Sequence, residues 1–224
     1  MSEAAATPAA SAPTGFRLPT PGNWFDLDLD PRTRNQSIAA MVDAHVAQSP
    51  AAADNRQVLV RLLRRTAREA AQGGMIFASL MSEVAEGVPV SASATVTLRT
   101  ATTSSGGASI SDPADIARYL RDRGGAGGQR AELRVVDIPA GRAVRLQGMQ
   151  EGDVSGVASG VVTLVVQYFL PVPGTESLAV LTFTTPTLAL AEPFAGLFDA
   201  MAENFSFEWD GDAAFETGDG AVGA

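Results

Sequence analysis

The apolar positions of the chain change period as one reads along it, from three-and-four to alternation and back. Ile38, Met41, Val42, His45 and Val46 recur at the spacing of one helical face, and Pro50 stops that run. A second helical stretch, residues 52–72, sets Val58, Leu59, Leu62, Leu63, Thr66 and Ala70 on one side, with Arg61, Arg64, Arg65 and Arg68 largely elsewhere. Gly73 and Gly74 end it. The period then falls to two: residues 75–84 and 88–101 predict a hairpin turning at Glu86–Gly87.

Asp112 and Pro113 suit the N-cap and first turn of a helix reaching about residue 123, before the glycine run 124–128. Strands are predicted over 133–138 and 143–150 around Pro139–Ala140–Gly141, and over 161–170 and 178–184 around Pro171–Val172–Pro173–Gly174. An amphipathic helix over 188–204 closes the order. At the front, residues 16–18 and 24–29 read as two short strands that open the domain as a pair, separated by Pro19, Pro21 and Gly22. Successive hairpins predict an α+β fold: a mostly antiparallel sheet of about six to seven strands covered by helices on its faces. Residues 1–14 and 210–224 are expected as disordered tails, the second acidic, on a single domain spanning 15–209.

Composition narrows the chemistry. The chain of 224 residues holds no cysteine, and all 16 of its basic residues are arginine. Disulfides, thiolate catalysis, Cys-ligated metal and lysine-based nucleophiles or phosphate loops are thereby excluded. A net charge of -9 argues against nucleic-acid partners. The longest apolar run, 161–172, is broken by Thr163, Gln167 and Pro171 and is too short to span hydrocarbon. With no positively charged apolar leader at the start, the expected location is cytoplasmic.

Candidate chemistry is sparse. His45, the one histidine, falls on an apolar helix face, and no Gly-x-Ser-x-Gly elbow exists, since the segment from Gly107 fails at Ser111. Asp26, Asp28 and Asp30 alternate with Phe25, Leu27 and Leu29, which on a straight strand separates successive carboxylates by about 6.6 Å and suits a charged edge better than one metal ion. The glycine run 124–128 fits no phosphate-loop register and reads as a linker. Arg61, Arg64, Arg65 and Arg68 make a basic cluster in an acidic protein, readable as a solvated helix face or as a dock for an acidic partner. From Glu203 on, acidic residues interleave with Phe205, Phe207, Trp209 and Phe215. Phe205 and Phe207 are expected to dock on the core, and the remainder reads as a solubilising tail or, through Trp209 and Phe215, as a contact for a basic partner groove.

The stretch Val135-Val136-Asp137-Ile138-Pro139-Ala140-Gly141-Arg142-Ala143-Val144, the stretch Gln167-Tyr168-Phe169-Leu170-Pro171-Val172-Pro173-Gly174 and the ending Leu181-Thr182-Phe183-Thr184-Thr185-Pro186 before Phe194–Phe205 resemble actinobacterial members of the Mog/PsbP/LpqN-like fold group. The opening Phe16-Arg17-Leu18-Pro19 with Trp24 is similar to that group's first strand. The resemblance implies an antiparallel sheet sandwiched by helices, with binding or assembly roles such as small-GTPase regulation, photosystem assembly or cell-envelope function, and it brings no catalytic motif. The chain departs from the envelope lipoproteins in lacking a lipobox cysteine, and neither tyrosine opens a Tyr-x-x-x-Asp/Glu secretion motif. The expectation is a non-enzymatic protein-interaction or assembly module with a protein partner and no cofactor, linked to a bacterial secretion or envelope system. The alternative is a carrier of an apolar small molecule held between sheet and helices.

Overall fold

Alternation builds the sheet. In the computed structural model, which describes residues 11–48, 50–85, 87–100, 112–122, 131–151 and 160–210, each period-two run forms a strand. The order is β1 (Gly15–Arg17), β2 (Phe25–Asp26), α1 (Arg34–Gln48), a 3-10 segment (Pro50–Asn55), α2 (Arg56–Gln72), β3 (Met75–Ala85), β4 (Val88–Thr100) and α3 (Pro113–Asp122). Then follow β5 (Glu132–Ile138), β6 (Gly141–Glu151), β7 (Val162–Pro171), β8 (Ser177–Thr185), α4 (Ala191–Glu203) and β9 (Ser206–Glu208). Seven strands form one sheet in the order β2-β3-β4-β8-β7-β6-β5. Every neighbouring pair runs antiparallel.

The sequence-predicted strand pair at the front does not form. β1 pairs instead with β9 near the other end of the chain, and β2 pairs with β3. β2 is also only two residues long: Trp24 and Leu27 are buried on either side of it, and the chain then leaves the sheet. The carboxylates of Asp28 and Asp30 accept the backbone N–H groups of Asp30 and Arg32, so they shape the turn into α1 and do not line a strand.

One face of the sheet, here the inner face, is closed. Register puts Ala94, Phe183, Val166 and Gln147 in one row across β4, β8, β7 and β6, and Val96, Leu181, Tyr168 and Arg145 in the next. α4 lays Phe194, Phe198, Met201 and Ala202 on this face. The Phe198 ring stacks on Phe183 at 5.3 Å, and Tyr168 meets Phe183 edge-on at 6.4 Å. Phe205 and Phe207 are buried as expected, and Phe16 of β1 stacks on Phe205. An irregularity between Met75 and Phe77 resets the parity of β3: Met75 joins the helix side, while Phe77 packs into the main core. Gly141, at φ 137, makes the β5–β6 turn in a backbone region that side chains avoid.

The opposite face is covered only at its two ends. Ile38 of α1 and Ala67 of α2 pack with Leu27 over Ala78 of β3. Ile116, Ala117 and Leu120 of α3 pack over Val144, Leu133, Phe169 and Leu178. The Asp112 carboxylate accepts the Ala114 N–H at 2.7 Å, which caps α3 as its sequence predicts. No helix among the described residues is long and apolar enough to cross a membrane. The glycine run 124–128, the serine and glycine segment 104–109, Phe215 and the acidic end from 211 lie outside the described residues.

Two outcomes test the inner face. Phe198→Ala should lower the unfolding free energy by about 3–5 kcal/mol in urea titration, because the cavity sits under a fully covered layer. Ser79→Ala should leave stability unchanged or raise it by about 1 kcal/mol, since the Ser79 hydroxyl is buried on this face without a hydrogen-bond partner.

Candidate functional site

Between the two helical ends, the outer face of the sheet is left as a groove of about 630 Å³. Its floor follows from register. Ser93 faces Thr184, Thr95 faces Thr182, and Thr182 faces Gln167, so β4, β8 and β7 contribute a file of small polar side chains. Their inward neighbours, Ala94, Leu181, Phe183 and Val166, are fully buried in the core. The alternation noted for residues 88–100 therefore has two jobs: one parity is core, the other is groove floor.

The floor is polar in composition and partly paired within itself. The Ser93 and Thr184 hydroxyls lie 2.7 Å apart, and the Gln167 amide donates to Thr182 Oγ1 at 3.1 Å. Each of these pairs still leaves one O–H donor over, so an apolar ligand covers this floor at a reduced desolvation cost and not at none. The walls are apolar: Leu27 and Leu80 at the β2–β3 edge, Leu63 and Ala70 of α2, Met75, and Val161 and Pro186 at the far side. None of the side chains lining the groove ionises near neutral pH. From β3 to β7 the floor spans three strand spacings, about 14 Å.

α2 has a different role from the one its sequence suggests. Val60 and Ala67, off the predicted stripe, are its buried residues, and Val58 on the stripe is 53% exposed. Leu63, Thr66 and Ala70 border the groove. The predicted apolar face is thus split between a helix contact and an open wall, because α2 leans on α1 and touches the sheet only at its β3 edge.

The arginines do not form one surface. Arg61, Arg65 and Arg68 are exposed along α2, whereas Arg64 is half-buried and donates from Nη2 to the Asn35 carbonyl of α1. Arg65 pairs loosely with Glu69 at 3.8 Å. His45 is exposed near the end of α1 and away from any cluster of metal-ligand type among the described residues. Trp209 donates from Nε1 to the Ser11 carbonyl at 3.3 Å and packs edge-on against Phe207, so it clamps the start of the described chain beside β9.

A polar cluster that sequence reading missed sits on the inner face. Arg145 is buried in mid-strand, where its Nε and Nη2 donate to the two Asp199 carboxylate oxygens at 2.8 and 3.1 Å, and Nη2 also donates to Gln147 at 2.6 Å. The Tyr168 hydroxyl donates to Asp199 Oδ1 at 2.6 Å. Burial, and then its bond to Asp199, push the Tyr168 phenol above its ordinary value against the opposing pull of Arg145. Burial by itself would lower the Arg145 pKa, but Asp199 and Tyr168 together outweigh it and raise it. The available signal was parity: Arg145 shares its strand face with Ala143, a core residue, and so had to be buried with a counter-charge.

No family model and no curated protein matches the chain. Among solved structures, LpqN, involved in cell envelope biogenesis of Mycobacterium tuberculosis, aligns with a TM-score of 0.46 and 12% sequence identity, over 87% of this chain and 86% of that one.

The buried pair has a direct test. Asp199→Ala should cost about 2 kcal/mol by stranding the Arg145 guanidinium. The triple variant Arg145→Met, Asp199→Leu, Tyr168→Phe should recover most of that loss in urea titration, because it removes both charges and the phenol hydroxyl they bond while nearly keeping the volume.

Proposed function

We propose that the protein is a non-catalytic binding module that holds an extended, uncharged, mostly hydrocarbon ligand in the groove between α2 and the sheet. Of the two readings the sequence leaves open, the groove favours the carrier of an apolar small molecule over the protein-assembly module. The observation that carries this is the combination of an apolar wall with an uncharged floor of hydroxyls, two strand pairs of which are bridged by side-chain hydrogen bonds. A volume of about 630 Å³ falls within the range of small-molecule sites.

The absence of ionisable side chains from the groove lining supports binding over chemistry: a general acid, base or nucleophile has no candidate among those residues. It also selects against a charged ligand, which would leave its own charge unpaired in a largely apolar trough. Leu63, Thr66 and Ala70 give α2 its half-open wall, and a bound chain would complete the burial that α1 and β3 leave unfinished.

Native mass spectrometry after gentle purification should show a retained neutral mass, and an uncharged apolar fluorophore should bind saturably. Thr182→Phe and Ser93→Phe, which fill the half-exposed floor without touching the core, should each weaken fluorophore binding at least tenfold with little change in melting temperature. A protein that retains no mass and binds the fluorophore only in linear, non-saturating fashion would sink the proposal.

A further inference from the structure

Apart from the groove, α1 and α2 enclose a notch of about 320 Å³ lined by Ala39, Arg56, Gln57, Val60, Arg61 and Arg64. Three of its six lining residues are arginines in a chain whose net charge is -9. The concentration is local: residues 34–72 carry six arginines against the three carboxylates of Asp43, Asp54 and Glu69. The formal charge of this segment is therefore opposite in sign to that of the chain as a whole.

The charges at the notch are only partly used. Arg56 forks onto both oxygens of Asp43, and that hydrogen bond, more than charge, holds the Asp43 carboxyl below its ordinary range. One arginine is thereby neutralised and two are left. Arg61 donates from Nε only to the Gln57 carbonyl of its own helix. Arg64 is anchored by Nη2 to the Asn35 carbonyl, and its Nε is buried with no hydrogen-bond partner. That Nε is covered by the protein, so the groups of these two arginines free to meet a ligand are Arg64 Nη1 and the Nη groups of Arg61, which make no hydrogen bond among the described residues.

We propose that the notch between α1 and α2 is a binding site for a doubly charged phosphate-type oxyanion, free or as a small monoester. Two uncompensated guanidinium groups match a dianion, and planar guanidinium forks suit phosphate oxygens better than a single point charge does. The notch is larger than one phosphate group, which leaves room for the small organic group of a monoester. The site is distinct from the groove, since the two share no lining residue.

The test follows the arginine Nε–Hε signals of the full chain by nitrogen–proton NMR during titration with inorganic phosphate, with glycerol 1-phosphate in parallel and sodium chloride matched for ionic strength. The Arg64 signal should move saturably with phosphate, with a dissociation constant of about 1 mM or tighter, and not with chloride. Tighter binding of glycerol 1-phosphate would assign the site to a monoester, and equal binding to free phosphate. Arg61→Gln, an exposed change that leaves the α1–α2 contact alone, should weaken binding at least fivefold, whereas Arg65→Gln, on the same helix but outside the notch, should not. A linear, non-saturating shift, an equal loss in both variants, or an Arg64 signal that moves only when the acidic residues from 211 on are removed would each overturn the proposal.

Discussion

The stack of Phe198 on Phe183 is the contact on which the rest of the molecule depends. Phe183 lies on β8, the strand that enters the sheet last and in its middle, paired to β4 on one side and β7 on the other. The β3–β4 hairpin and the β5–β6–β7 meander are local structures that cannot become one sheet until β8 zips them together. α4 follows β8 after a single short turn and drops Phe198 onto that central strand, so the closing of the sheet and the burial of its inner face are one event. Long-range pairing of this kind incurs its loop entropy before its contacts form, which places the decisive stabilisation at the end of the chain.

Closing one face completely is what lets the other stay partly open. With Leu164, Val166, Leu181, Phe183 and Phe198 fully covered on the inner side, the outer face does not need to supply a second core along its whole length. Helices cover it at the β3 edge and again over β5–β7, and the stretch between is surfaced with serine and threonine. Those hydroxyls are short, β-compatible and bonded across strands, so they remain stable whether water or a ligand lies above them.

Charge is handled in two contrasting ways. At Arg145 the guanidinium is buried and bonded through Nε and Nη2 to Asp199, Tyr168 and Gln147, with Nη1 left unmet, which ties α4 to β6 and β7. On α2 the arginines are gathered on a helix that is thinly packed, and Arg64 keeps a donor unmet. The first arrangement carries its counter-charge within the chain; at the notch only Arg56 does, through Asp43.

By itself the sequence determined the long strands, the helices and the class of sheet, because each rests on local periodicity: alternation in residues 88–100 and 161–170, three-and-four spacing in 34–48, a capping aspartate at 112. It also determined that no thiol or lysine chemistry is available, which is a matter of inventory. Tertiary structure alone decided where β1 and β2 pair, since two- and three-residue strands carry too few side chains to specify a partner. It decided that the stripe on α2 is wall and not core, because periodicity reports that a face is apolar and not how much of it the neighbours reach. It decided, too, that Ser93, Thr95, Thr182, Thr184 and Gln167 share one floor and that Arg145 meets Asp199, pairings across 15 to 91 residues of chain that exist only through strand register.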